Sequence, residues 1–118
     1  MAFARERWTR LDEGAKFELP RATRRFETVF VSPAGIFVPA ELEIEPGTPV
    51  LARLSVGGKA VVAHTEMRRL LDAEQASARG IEHPQGGSEL RIVRMEGDGS
   101  QVLAEHIKKV LMESGGPG

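Results

Sequence analysis

The sequence predicts a small domain with an all-β core and one C-terminal helix, and three observations lead to this fold class. Short segments rich in β-branched, aromatic or alternating apolar residues follow one another along the chain. Proline and glycine turns separate them at intervals of roughly 8 to 12 residues, which is typical of a barrel or sandwich. Near the C-terminus the apolar pattern changes from strand period to helix period. Together these observations predict a small β-barrel with a helix packed on it.

The strand candidates are defined by their apolar residues and by the turns between them. The clearest turns are 32–35, 46–49 and the glycine pair 57–58, which is a hairpin signal. Residues 88–96 fit either a strand or a helix, and residues 70–77 fit a helical turn or a loop. The strand candidates are residues 16–19, 26–31, 36–38, 50–54, 59–65 and 79–83.

The predicted helix covers residues 101–112. Its apolar residues recur at the spacing of one helical face, which would pack on the barrel. Ser100 is the expected N-cap and Gly115 the expected stop. The apolar residues of this face are Val102, Leu103, Ile107, Val110 and Leu111.

Composition excludes several classes of protein. The chain has 118 residues, enough for one domain with its own core. It carries 16 basic and 17 acidic residues, for a net charge of −1, whereas a general nucleic-acid binder needs a basic excess. The absence of cysteine excludes disulfides, thiol catalysis and cysteine-based zinc sites. With no signal peptide and no membrane-spanning apolar run, we expect a cytoplasmic protein.

The basic residues are unevenly placed. Arginine outnumbers lysine by 12 to 4, and half of the arginines lie in the first 25 residues. Arginine pairs bidentately with phosphates and base edges, so this cluster suggests an anionic ligand. We expect an arginine-rich arm over residues 1–14, a barrel with its helix over 15–113 and a flexible tail over 114–118. The clustered arginines are Arg5, Arg7, Arg10, Arg21, Arg24 and Arg25.

Enzyme signatures are weak. The sequence His64-Thr65-Glu66 matches part of a zinc deaminase motif but has no cysteine pair to complete it. The segment 97–100 precedes the helix as a phosphate loop would, yet lacks the lysine and further glycines of the known fingerprints. We therefore expect no catalytic residues, no metal site and no enzymatic activity.

The segment 31–50 resembles the PilZ domain family, small bacterial receptors of cyclic di-GMP. The resemblance lies in Ser32-x-x-Gly35, the short apolar strand 36–38 and the Pro46-Gly47-Thr48 turn. Residues 79–83 are similar to a later strand of the family, and the amphipathic segment lies where PilZ domains carry their C-terminal helix. Over residues 15–112, the resemblance implies a six-stranded antiparallel β-barrel followed by this helix.

The family binds cyclic di-GMP through an Arg-x-x-x-Arg pair and an Asp/Asn-x-Ser-x-x-Gly turn. In this sequence Phe30 stands at the Asp/Asn position. Arg21 and Arg25 have the pair spacing but lie only a few residues before the turn, whereas the arginines of the first ten residues have the distance but not the spacing. The resemblance implies ligand contacts from Arg21, Arg24, Arg25, Ser32 and Gly35, with Arg5, Arg7 and Arg10 as substitutes.

Two functions follow from the resemblance. The first is a cyclic di-GMP receptor that acts as a regulatory adaptor in motility or surface behaviour. The second is an interaction module that binds a protein partner without nucleotide, through an apolar edge strand such as 36–38 or through the arm. Neither requires a cofactor.

Overall fold

The computed structural model describes residues 8–81 and 85–114. Over these residues, eight strands form one sheet and two helices pack against it. Every strand pair in the sheet is antiparallel. The elements are β1 (Thr9–Leu11), β2 (Ala15–Glu18), β3 (Thr23–Phe26), β4 (Val29–Ser32), β5 (Gly35–Val38), β6 (Pro49–Val56), β7 (Lys59–Leu71), α1 (Ala73–Ala78), β8 (Gly87–Met95) and α2 (Gly99–Ser114).

The sheet is an open, curled half-barrel with the strand order β1-β4-β5-β8-β7-β6-β2-β3. The expectation of a closed six-stranded barrel is therefore wrong, although the antiparallel β core and the C-terminal helix are confirmed. The sheet has more strands than the six predicted because a bend divides a predicted strand and a further strand forms near the N-terminus. The predicted strand 26–31 is split at residues 27–28 into the end of β3 and the start of β4. Within the expected arm, Thr9–Leu11 forms β1.

Two bends lie side by side and connect the edges of the sheet. Gly14, between β1 and β2, has a positive φ of 93°, a conformation that glycine adopts without steric cost. Its amide donates to the Glu27 carbonyl at 3.3 Å. The Thr28 hydroxyl donates to Asp12 Oδ1 at 2.6 Å. Because β1 continues into β2 and β3 into β4, the same two chain segments supply both edges of the half-barrel.

The main core lies on the inner face of the sheet. Alternate residues of β2, β6 and β7 point into it, as the burial pattern of these strands shows. Helix α2 adds Leu103 and Ile107 to this core and packs on β7, β6 and β1. The helix begins at Gly99, one residue before the expected cap Ser100. The fully buried side chains of this core include Leu11, Phe17, Val29, Val31, Ile36, Val38, Val50 and Leu90.

A second, smaller core covers the outer face of β4 and β5. Helix α1, capped by Asp72, lies over it and answers the open expectation for residues 70–77. The expected strand 79–83 is wrong for its first residues: a turn after α1 covers 79–80, and Ile81 packs in this core. Residues 82 and 83 lie outside the described residues. The outer core consists of Trp8, Phe30, Phe37, Leu71, Ala76 and Ile81.

Glu13, in the bend between β1 and β2, fastens the β6–β7 hairpin. Its carboxylate accepts the amide hydrogens of Gly57 and Gly58, both at 2.9 Å. The hydrogen bond from Gly58 has the larger effect and that from Gly57 the next, and together they lower the pKa of Glu13 from its usual value of 4.5. A group with a depressed folded-state pKa stabilises the fold above its unfolded-state pKa, and the contribution is lost as pH falls through the folded-state value.

We predict that Glu13→Ala lowers the free energy of unfolding by about 1 kcal/mol at about pH 7, because two backbone donors lose a charged acceptor. The difference from the wild type should be smaller at about pH 3, because the stability that comes from a lowered pKa is lost as pH falls through the folded-state value. Urea denaturation at the two pH values measures both quantities. The exposed Glu41 provides the control, since Glu41→Ala should change neither. An equal deficit at both pH values would contradict the assignment.

Candidate ligand-binding turn and arginine residues

The predicted ligand turn is the hairpin between β4 and β5. Ser32 and Gly35 pair across its base, and Pro33 and Ala34 are exposed at its tip. Ser32 is fully buried, with 0% of its surface exposed. Short turns of this kind hold their flanking residues in one register, so Ser32 and Gly35 lie together as the sequence motif requires. The motif is therefore formed, but its serine lies beneath the surface.

The side chain of Trp8 covers the turn. A Cβ atom at Gly35 would lie 3.0 Å from Trp8 Cη2 and 2.9 Å from the Leu90 carbonyl oxygen, both too close for ordinary packing. Trp8 precedes Thr9, which pairs with Val31, so the indole lies on the same outer face as Ser32. In this chain the missing side chain of Gly35 makes room for the indole ring.

Two polar atoms at this turn have no hydrogen-bond partner among the described residues. They are Ser32 Oγ and Trp8 Nε1, and both are buried. A buried donor or acceptor that is left unpaired costs about 1–3 kcal/mol, so most buried polar groups in folded proteins are paired. The turn thus combines close apolar packing with unused hydrogen-bonding capacity.

Phe30 occupies the position that is Asp or Asn in the family. It is 6% exposed and contacts Phe37 edge to face, with ring centroids 6.0 Å apart. The contact belongs to the outer core, under α1. The residue therefore contributes to packing, and a guanine base would find no hydrogen-bond acceptor in its side chain.

The structure separates the arginines that the sequence singled out. Arg10 lies on β1, next to the strand that carries Ser32, and its Nε donates to Asp12 at 2.9 Å. Two hydrogen bonds lower the pKa of Asp12 from its usual value: the bond from Thr28 has the larger effect, and the bond from Arg10 the next. Arg5 and Arg7 lie outside the described residues. Arg10 is therefore the one described arginine of the expected set on a strand adjoining the turn.

The other three lie at the opposite end of the strand order. Arg21 is exposed in the connection between β2 and β3. Arg24 lies over the Phe26 ring, 5.3 Å from its centroid, and Arg25 pairs across the strands with Lys16. The sheet register does not bring these residues to Ser32, so their role as ligands of this turn stays a prediction.

A carboxylate that the sequence reasoning missed organises arginines near the turn. Glu89 lies on the outer face of β8, beside Phe37, with 4% of its side chain exposed. Arg79, Arg69 and Arg68 lie 2.7, 3.2 and 3.7 Å from its oxygens. Strand alternation in β8 would have placed Glu89 on this face, but residues 88–96 fitted a helix equally well. A buried carboxylate paired with several guanidinium groups is best explained as a structural centre.

The deaminase-like residues lie on β7 and do not converge on a metal-binding arrangement. His64 Nε2 is 2.8 Å from Glu96 Oε2 on the outer face, while Thr65 donates to the Val50 carbonyl. Within residues 8–81 and 85–114, no three histidine or acidic side chains are grouped as metal ligands. Neither helix in this part of the chain has the length and apolar character needed to span a membrane.

Comparison with known proteins gives one structural relationship. No protein-family model matches the sequence, and no curated protein does. The fold is similar to the solved structure of the Bacillus subtilis inhibitor of motility, MotI/DgrA, with a TM-score of 0.61 and 14% sequence identity. The similarity covers 92% of this chain and 52% of the MotI/DgrA chain, so this chain spans about half of its length. The relationship concerns the fold, and it supports the PilZ-like architecture.

We predict that Gly35→Ala destabilises the protein by about 1–3 kcal/mol, because the added methyl group meets the indole and a backbone carbonyl. Trp8 is the single tryptophan of the chain, so its fluorescence should shift to longer wavelength as the ring moves towards solvent. Emission spectra and urea denaturation test the two effects. Ala34→Ser, at the exposed tip, is the matched control. Unchanged emission in Gly35→Ala would show that the indole does not need this space.

Proposed function

We propose that the protein is a PilZ-like regulatory adaptor of the kind found in bacterial cyclic di-GMP-type signalling, with nucleotide binding weakened or lost, acting in the cytoplasm on motility or surface behaviour. It regulates by binding a protein partner and catalyses no reaction. The observation that supports this most directly is the fold, which over 92% of the chain is similar to that of an inhibitor of motility.

The closed turn favours an adaptor that acts without bound nucleotide. Trp8 occupies the space above Gly35, and Phe30 supplies packing where a ligand contact is expected. Nucleotide binding would require the indole to leave a position where it is 9% exposed. Moving the buried part of the indole out of the outer core would remove the stability that its burial provides.

The partner-binding surface lies elsewhere than on the apolar strand 36–38. That strand, proposed from sequence as an apolar edge, is β5, which lies between β4 and β8. Its four residues are buried, so a partner cannot reach them. The strands that end the sheet are β1 and β3.

A second candidate function is a cyclic di-GMP receptor that uses the same turn. The unpartnered Ser32 Oγ and Trp8 Nε1 favour it, because a ligand could satisfy both groups. Arg10 on the adjoining strand would supply a cationic contact, with Arg5 and Arg7 as further contributors. In this version the ligand reorganises Trp8, and its fluorescence reports binding.

We predict that the wild-type protein gives no binding heat with cyclic di-GMP at concentrations on the order of tens of micromolar. Trp8 emission should also stay unchanged, because the turn is already filled. Saturable heat together with an emission shift, both lost in Ser32→Ala, would favour the receptor instead. Ala34→Ser serves as the control for changes elsewhere in the turn.

We also predict that overproduction in the source bacterium reduces swimming, and that the reduction persists in a strain lacking all cyclic di-GMP synthesis. Swimming-halo diameter is the measurement, with protein levels matched by immunoblot. Dependence of the effect on cyclic di-GMP would move the proposal to the receptor. Swimming and surface attachment that are unchanged by both deletion and overproduction would end the adaptor proposal.

A further inference from the structure

A groove with a volume of about 740 Å³ crosses the outer face of the sheet, far along the strand order from the Ser32 turn. It runs over β3, β2 and β6 to the first residues of β7, so it lies across the strands. The groove is largely open to solvent, and its volume is comparable with that of small-molecule clefts. Polar groups along it come from Lys16, Arg25, Glu27, Arg53 and Ser55.

Three cationic residues stand opposite one another in this groove. Arg25 pairs with Lys16 across β3 and β2, and Lys16 pairs with Arg53 across β2 and β6. Ala15 and Phe17, on either side of Lys16, face the inner core, so Lys16 and the two residues paired with it share the outer face. Like charges directly opposite on neighbouring strands destabilise a sheet. The row therefore has an energetic cost in the free protein.

Carboxylates neutralise only part of this row. Glu18 accepts a hydrogen bond from Arg53 Nε at 2.8 Å, and the two form an ion pair. Glu27 also lines the groove. In the described part of the chain, Lys16 and Arg25 form no ion pair within 4.0 Å, and Lys16 has only a weaker electrostatic interaction with Glu18. Most of the unbalanced positive charge of the row therefore lies on Lys16 and Arg25.

The dimensions of the row suggest the class of ligand. Adjacent strands are about 4.8 Å apart, so the backbone positions of Arg25 and Arg53 are separated by roughly 10 Å. Side chains that converge from this width can contact two neighbouring phosphate groups at once. Arginine binds phosphate bidentately, and lysine binds it as a point charge. A peptide is a less suitable occupant. It would add a strand to the edge strand β3 and lie along the strands, whereas the groove runs across them.

We propose that this groove binds a small molecule carrying a diphosphate, that is, two phosphate groups joined directly to each other. Lys16 and Arg25 hold the phosphates, and Arg53, fixed by Glu18, borders them. The site lies apart from the Ser32 turn and does not depend on the adaptor proposal. Free pyrophosphate and nucleoside diphosphates share this chemistry, and the experiment separates them.

The test is calorimetric titration of the full chain with pyrophosphate, ADP and inorganic phosphate in the absence of divalent cations. Pyrophosphate and ADP should bind, and the affinity for inorganic phosphate should be lower by about tenfold or more. Tighter binding of ADP would identify a nucleotide site, and equal binding would identify a diphosphate site. Trp8 emission should not change, which separates this site from the turn. Inorganic phosphate binding as tightly as pyrophosphate would overturn the proposal.

The variant Lys16→Gln/Arg25→Gln should weaken pyrophosphate binding by about tenfold or more. Its melting temperature without ligand should equal or exceed that of the wild type, because opposed charges have been removed. Lys108→Gln/Lys109→Gln on α2 changes the net charge equally and should retain binding. Equal losses in both double variants, no binding to the wild type, or a lower melting temperature of the first variant would each overturn the proposal.

Discussion

The half-barrel depends on two bends that lie side by side. At residues 12–14 and 27–28 the chain leaves one edge of the sheet and enters the other, so covalent continuity connects β1 to β2 and β3 to β4. The Gly14 amide and the Asp12 carboxylate hold the bends together. Glu13 then joins them to the β6–β7 hairpin through two backbone amides. The curl of the sheet, and hence the inner space that α2 fills, follows from this junction.

The outer core determines what the family-like turn can do. In most antiparallel sheets one face is solvated, but here the outer face of β4 and β5 is covered by α1 and Trp8. Ser32 and Gly35 therefore belong to a packed interior. In this chain the backbone of the turn holds the indole ring of Trp8 against Gly35. The sequence motif by itself therefore does not establish a ligand site.

The sequence allowed the local elements to be predicted better than their connections. The helical period of residues 101–112 and the Gly57-Gly58 hairpin are local signals, and both elements form where expected. The division of residues 26–31 between two strands is a tertiary effect. Phe26 and Val29 both have strand character, and only the bend at residues 27–28 places them in different strands. Trp8 lies on the turn through a long-range strand pair, which no local pattern in the first residues reveals. Spacing along the chain defines the candidate arginines, but register across the sheet decides which of them lie together.

Two arginine-rich regions of the outer face differ in how their charge is balanced. The carboxylate of Glu89 is nearly inaccessible and lies within 4 Å of three guanidinium groups. These arginines are therefore explained by the buried charge that they compensate. The row at Lys16 and Arg25 has no such centre, and direct opposition of like charges lowers stability. Natural proteins retain locally unfavourable arrangements mainly where function gains from them. Because Glu18 forms its ion pair with Arg53 and has only a weaker electrostatic interaction with Lys16, an anion from solution is the simplest source of further compensation for Lys16 and Arg25. The same logic distinguishes the two regions: removing a charge should harm the fold at Glu89, whereas at the groove it should harm only binding.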